Sequence, residues 1–468
     1  MSLIPRLPRM MIFAPPVAAI TAACGPAPRL QNIPQVAAAA WLQPSPTSNA
    51  PLPANLGQAF ASPTLEALIA RALLANADLG MSAARVDQAR AQLRLARADM
   101  LPVVLASAHV LTSRVTNGAA KPFESNEGSA GVDVAFDVDL FGRARAGRLA
   151  AQARYAAASF DRQALALVVE GEVARAFVQH ATLSERLALL DRNIAQAREL
   201  LRVIEVRQRL GEANRVDTGL QTIQLRQLEV QRHRLAEARS RTANALAVLV
   251  GEEAPGFAVP AVKLHALAVP SISPVQPAEL LVRRPDMRAA EARVAAARGD
   301  VAEARAAFLP SLRLSAGGIA QAMTLGAPIG TVVTAGANLL APIFDLGRLR
   351  GQVAMANGRQ VESIESYRKS LLTSVAETQD ALEAVERSRA REALLDDVVA
   401  QAVTTARLAR SQYVGGDADL QWVLDAEQRL VEAQDARAVA LQERLEAAIE
   451  LYRAMGGGAA QPTPHSVG

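Results

Sequence analysis

A mainly α-helical fold that also carries a membrane β-barrel is what this 468-residue sequence predicts, and three observations point to it. Apolar residues make up 50% of the chain but aromatic ones only 3%, and alanine dominates, which suits closely packed helices better than a bulky globular core. Apolar residues step by three and four along extended stretches, as in coiled-coil seams. The order helix, Leu-Pro break, non-helical insert, Gly-Arg-x-Arg, long helices occurs twice, so the chain reads as a duplication.

At the amino terminus, Arg6 and Arg9 precede an apolar run over 10–20 and then Thr21-Ala22-Ala23-Cys24-Gly25. This is the layout of a secretory signal peptide over 1–23. Small residues before the lone cysteine resemble a bacterial lipobox, which implies a diacylglyceryl thioether on Cys24, an acylated amino terminus and a palmitate-type membrane anchor. Thr21 stands where lipoboxes carry leucine and Pro15-Pro16 interrupts the apolar run, so ordinary signal-peptidase cleavage is the alternative. One cysteine allows neither an intrachain disulfide nor a Cys-based zinc site. Residues 24–63, rich in Pro, Ala, Asn and Ser without a period, read as a tether.

The first structural repeat spans 64–260 and the second 261–457, with a flexible tail over 458–468. In the first, Val86, Ala89, Leu93, Ala96 and Met100 form a seam; Val294, Ala297, Val301, Ala304 and Phe308 repeat it in the second, and both helices stop at Leu-Pro. Phe141-Gly142-Arg143-Ala144-Arg145 matches Leu346-Gly347-Arg348-Leu349-Arg350, and 208–221 matches 412–425. Longer seams follow at Leu225, Leu228, Leu235, Ala238, Thr242, Ala245 and Leu249, and at Val431, Ala438, Leu441, Leu445, Ala448 and Tyr452.

Strands belong in the inserts, near 102–141 and 310–344. Val132, Val134, Phe136, Val138 and Leu140 alternate with Asp133, Ala135, Asp137 and Asp139, the period of two by which a barrel strand divides lipid from lumen. Residues 102–115 form its hairpin partner across a loop at 116–128. Segments 310–321 and 331–344 make the second hairpin across 326–330. A small soluble sheet is the other reading of these four segments. No stretch after the signal offers 18 uninterrupted apolar residues, so any membrane crossing uses strands. Four strands cannot close a barrel, and lipid tolerates no open sheet edge, so spanning hairpins require oligomerisation.

The formal charge of +4 is spread along the chain instead of gathered into blocks, which argues for solvated helix faces and against a nucleic-acid partner. The five histidines stand apart, and no His-Glu-x-x-His, Gly-x-Ser-x-Gly or phosphate-binding loop is present. The expectation is therefore no enzyme, no cofactor beyond the covalent lipid, and no metal.

Five segments together resemble the outer membrane factor family, the TolC-like exit channels, in its NodT-type lipoprotein branch. They are Leu280-Leu281-Val282-Arg283-Arg284-Pro285-Asp286-Met287-Arg288-Ala289-Ala290-Glu291, then 304–311, Phe344-Asp345-Leu346-Gly347-Arg348, 137–143, and 415–426. The resemblance implies a homotrimer whose strands form one twelve-stranded barrel and whose helices form a long coiled-coil tunnel through the periplasm. It implies an outer-membrane location, and as partners a periplasmic adaptor and an inner-membrane pump of the resistance-nodulation-division type. The function implied is a passive exit duct for drugs or other small molecules. It further places Gly211 and Gly415 at hairpin tips where the adaptor docks, and Asp425 at the periplasmic aperture; an ordinary surface ion pair with Arg429 is the other reading of Asp425. Arg283, Arg284, Asp286 and Glu291 fit a salt-bridge cluster at a helix start around Pro285. Two further functions keep parts of this pattern: a lipid-anchored coiled-coil adaptor or scaffold, and the outer-membrane port of a type I protein secretion system.

Overall fold

A computed structural model describes residues 53–116, 118, 123–270, 280, 283–322 and 328–458. The signal peptide, Cys24, most of the tether, the tail after Gly458, Leu281 and Val282 lie outside the described residues. Val36–Gly468 groups as one unit, so the two repeats are interleaved and share their packing.

Two short helices, α1 (Leu56–Ala59) and α2 (Pro63–Ala75), lead into α3 (Ala77–Ala98). Ser62 caps α2 with Pro63 in its first turn, and Asn76 caps α3 by accepting from the N–H groups of Asp78 and Leu79. The α3 seam is as expected: Leu93 is buried, and Val86, Ala89, Ala96 and Met100 are half-buried.

The hairpin β1 (Val103–Val115) and β2 (Phe123–Val138) follows, then α4 (Arg143–Arg209) and α5 (Arg215–Leu249). The second repeat runs α6 (Pro285–Ala306), β3 (Ser311–Ala322), β4 (Gly330–Leu340), α7 (Leu346–Gly415) and α8 (Leu420–Ala454). At 1.5 Å per residue, α4 and α7 are each roughly 100 Å long. Among the described residues no helix is long and apolar enough to cross a membrane.

The four strands form one antiparallel sheet in the order β1-β2-β3-β4. Three strand limits differ from the sequence expectation by two residues or more. Residues 123–128, expected in the loop, pair as strand from Val115↔Phe123 to Val110↔Gly128. Leu140 lies beyond β2, because Asp139 turns away to cap α4. β4 ends at Leu340, before Pro342, which has no N–H to continue the ladder.

Register fixes the two faces, since opposed residues point the same way. Val104, Ala106, Val132, Val134, Phe136, Leu312, Leu314, Ala316, Val333 and Ala337 share one face. Ser107, Asp133, Asp137, Arg313, Ser315, Thr334 and Asn338 share the other, with Leu105 and Ile319 among them. Every residue of β4 is exposed and β1 is exposed from Val103 to Thr112, so a soluble sheet backed by helices is excluded.

The helices form layers, each four elements wide. Nearer the sheet the order is α3-α4-α6-α7; beyond the middle it is α5-α4-α8-α7. Where they meet, Val173, Phe177, Leu246, Leu445, Ile449 and Tyr452 pack with Leu56, Phe60 and Leu65. Leu187, Leu190 and Ile194 of α4 meet Leu225, Leu228 and Leu235 of α5 further along. The expected α5 seam slips near its end: Ala245 is exposed and Leu246 takes its place. Leu246 lies three heptads after Leu225 and joins the core of Phe177, Leu445 and Tyr452, which other helices contribute.

Candidate functional site

On the polar face of the sheet, Arg313 of β3 reaches Asp137 of β2 through Nε at 2.6 Å and a terminal nitrogen at 2.8 Å. Asp139, just past β2, accepts from the N–H groups of Ala144 and Arg145 at 3.1 and 3.0 Å and from Arg145 Nε at 3.0 Å. Gly142, at φ +79°, makes the turn. The Gly-Arg-x-Arg motif thus joins strand to helix, and in the second repeat Asp345 holds Arg348.

At the far ends of the long helices, α4 reverses through Gly211 at φ +82°, with Glu212 N–H donating to Arg207 O at 2.9 Å. Asn214 and Asp217 then close a capping box on α5. In the second hairpin Gly415 is the last helical residue, and the left-handed conformation falls on Gly416 at φ +84°. The reversing residue is therefore Gly416, not Gly415. As a consequence α8 aligns with α5 one residue later than the match of 208–221 with 412–425: Asn214 corresponds to Asp419, and buried Gln221 to buried Ala426. Cap geometry sets that register, and side-chain similarity around a doubled glycine cannot.

The two tips are tied together. Arg207 donates to Tyr413 O at 2.9 Å and its guanidinium lies 4.8 Å from the Tyr413 ring centroid. Arg410 donates to Gln196 O at 3.3 Å across the hairpins and pairs within its own hairpin with Glu427 at 2.7 Å; burial pushes the Glu427 carboxyl up while Arg410 draws it down. Neither link was legible in the sequence, because each joins residues on different helices.

Asp425 lies in the second turn of α8, exposed, with Arg429 Nη2 at 3.1 Å from its Oδ2. Trp422, one turn earlier, is exposed. Arg284, by contrast, is buried: it binds Asp286 at 3.1 and 2.8 Å, Glu377 at 2.8 Å and the Ala454 carbonyl at 3.3 Å. Of the cluster expected at the start of α6, Arg284 and Asp286 pair; Glu377 of α7 joins them, and Arg283 and Glu291 make no ion pair among the described residues. Beside it a cavity of about 540 Å³ opens between α4, α6, α7 and α8. Of its charged lining, Arg284, Asp286, Glu377, Glu450 and Arg453 are engaged in ion pairs.

A long helical body continued by strands with one apolar and one polar face, neither backed by helices, defines the protomer of an outer-membrane channel. The comparisons agree: the model of the family "outer membrane efflux protein" matches residues 68–252 and 277–457. The chain belongs to the outer membrane efflux protein family. It is 32% identical to the pyoverdine export outer membrane protein OpmQ of Pseudomonas putida, over 97% of this chain and 98% of that protein. It is 28% identical to the toluene efflux pump outer membrane protein TtgC, also of Pseudomonas putida, over 94% and 93%. The solved outer-membrane channel OprN superposes with a TM-score of 0.82 at 26% identity, covering 91% of this chain and 98% of that one. The protein is thus an efflux channel of the outer membrane that extends into the periplasm, in a family of transport channels and not of enzymes.

Proposed function

We propose that the chain is one protomer of a homotrimeric, passive exit duct in a tripartite efflux system. The observation that carries this reading is that every layer is four elements wide and open at both edges. In lipid each unpaired backbone group costs several kcal/mol, so β1 of one protomer must meet β4 of the next. Three copies of a four-stranded sheet give twelve strands. The edge helices support the same closure. Exposed Val216, Ile223 and Val230 recur every seventh residue on α5, and exposed Leu394, Val398 and Leu408 line α7, knobs that lack holes within the protomer.

Such a tunnel carries cargo without hydrolysing anything, so an inner-membrane pump of the resistance-nodulation-division type supplies the energy through an adaptor docked at the tips around Gly211 and Gly415. Three Asp425 carboxylates ring the closed aperture, and a covalent lipid on Cys24 anchors the amino terminus. No other cofactor is needed. Cargo is of the small-molecule class: relatives are named for pyoverdine export and for toluene efflux, chemically unlike compounds that a shared duct wall need not recognise.

Native mass spectrometry and negative-stain imaging of detergent-extracted protein test the reading. A trimeric hollow cylinder is expected. A detergent-free monomer or solid rod would instead support the adaptor or scaffold alternative.

A further inference from the structure

Arginines crowd the turns where helices meet the sheet. Arg97 is in the last turn of α3 with Arg94 one turn before it, Arg305 ends α6, and Arg143 and Arg350 lie in the first turns of α4 and α7. All five are exposed and make no ion pair among the described residues, whereas Arg145 and Arg348 are held by Asp139 and Asp345. The duplication matches Arg97 with Arg305, whereas Arg143 and Arg350 each correspond to an arginine that is held, Arg348 and Arg145. These turns hold no lysine.

The same level carries large exposed apolar side chains. Ile343 and Phe344, between β4 and α7, are 87% and 99% exposed, and Leu101 and Leu309 are exposed at the ends of α3 and α6. Apolar groups next to unpaired guanidinium groups mark a boundary between hydrocarbon and headgroups.

Depth agrees. Strands of 11 to 16 residues, tilted near 45°, cross the roughly 30 Å hydrocarbon core. The headgroup layer outside it is about 5 to 8 Å thick, or one to one and a half helical turns. The connectors between strand and helix are short, from Ala98 to Val103 and from Ala306 to Ser311, so the terminal helical turns fall within that layer. The planar guanidinium fork matches two phosphate oxygens at once. Arg143 stands near Asp137 of the polar face, so the arginines to consider are Arg94, Arg97, Arg305 and Arg350.

We propose that these four arginines form a collar that binds the phosphates of anionic phospholipid in the periplasmic leaflet of the outer membrane. The inference rests on the membrane-spanning reading of the sheet.

The full chain, reconstituted in mixed phosphatidylglycerol and phosphatidylcholine and released for native mass spectrometry, reads it directly. Trimers are expected to retain phosphatidylglycerol preferentially, and R97Q/R305Q/R350Q to lose about fivefold in that preference for each arginine removed. R389Q/R407Q, exposed arginines of α7 far from the sheet, should match the parent. A trimer with no preference overturns the collar and leaves the duct standing; absence of a membrane-inserted trimer overturns the duct itself. Unchanged retention in the triple variant, with a shifted reversal potential in planar bilayers, assigns the arginines to the lumen and also overturns the collar. Should the triple variant not assemble, the parent's preference and its collapse at high salt decide the matter.

Discussion

Glu170, near the middle of α4, accepts a hydrogen bond at 2.6 Å from the N–H of Leu56, the first residue of α1, and so pins the amino-terminal segment to the longest helices. Tyr452 of α8 works beside it, donating to Ala54 O at 3.2 Å and accepting from Gly458 N–H at 2.8 Å. Burial pushes the Glu170 carboxyl up, and the Leu56 N–H opposes this only in part. A raised folded-state value means the native state binds the proton more tightly than the unfolded chain. Stability should therefore fall as pH rises from about 4.3, the unfolded value, through the raised native one. Glu170→Gln keeps an acceptor for Leu56 and should abolish that decline, whereas Glu170→Ala should cost about 1 to 3 kcal/mol by orphaning a buried N–H. Urea titrations across this pH range measure both.

The hairpin tips separate two adjacent glycines. Gly211→Ala and Gly416→Ala place a side chain at positive φ with open space around it, so backbone strain alone should destabilise each tip by about 1 kcal/mol. Gly415→Ala, in a helical position, should instead be neutral or stabilising by up to about 1 kcal/mol. Hydrogen exchange of the tip amides distinguishes them, and equal protection losses at 415 and 416 would contradict the assignment.

The faces of the sheet predict opposite tolerances for neighbouring residues. Ala316 lies opposite Val134 and Ala335 on the apolar face, and Ser315 opposite Ala135 and Gly336 on the polar one. Ala316→Arg should cost about 2 to 4 kcal/mol if it meets lipid near the midplane, while Ser315→Arg should leave assembly nearly intact. The yield of heat-resistant oligomer on gels reports the difference.

The exposed pair of Asp425 and Arg429 contributes little to folding, on the order of 0.5 kcal/mol or less. Asp425→Ala should accordingly leave the melting temperature unchanged, raise single-channel conductance in planar bilayers and weaken block by divalent cations. Unaltered conductance and block would return Asp425 to the role of surface partner for Arg429.

For the anchor, mass spectrometry of the mature amino terminus decides. Cys24→Ser should remove the mass of the acyl groups, and an unmodified terminus in the parent would discard the lipobox in favour of ordinary cleavage.

Local regularities carried much of this in the sequence alone. The heptad seams of α3 and α6, the alternation from Val132 to Val138, and the repeated Gly-Arg-x-Arg fixed helix, strand and duplication, because each is a periodicity that burial on one face imposes on neighbouring residues. Even Arg284 could be expected at a helix start beside Pro285. What the tertiary structure alone decided are relationships between residues far apart or set by backbone conformation. Gly416 and not Gly415 reverses the second hairpin, since a doubled glycine leaves the left-handed position to the cap hydrogen bonds. Ala245 yields to Leu246 because Leu246 is the residue that meets the core of Phe177, Leu445 and Tyr452 on other helices. Arg207 meets Tyr413, and Glu170 meets Leu56, only once four helices lie side by side, since no local pattern encodes which partner a distant side chain will find.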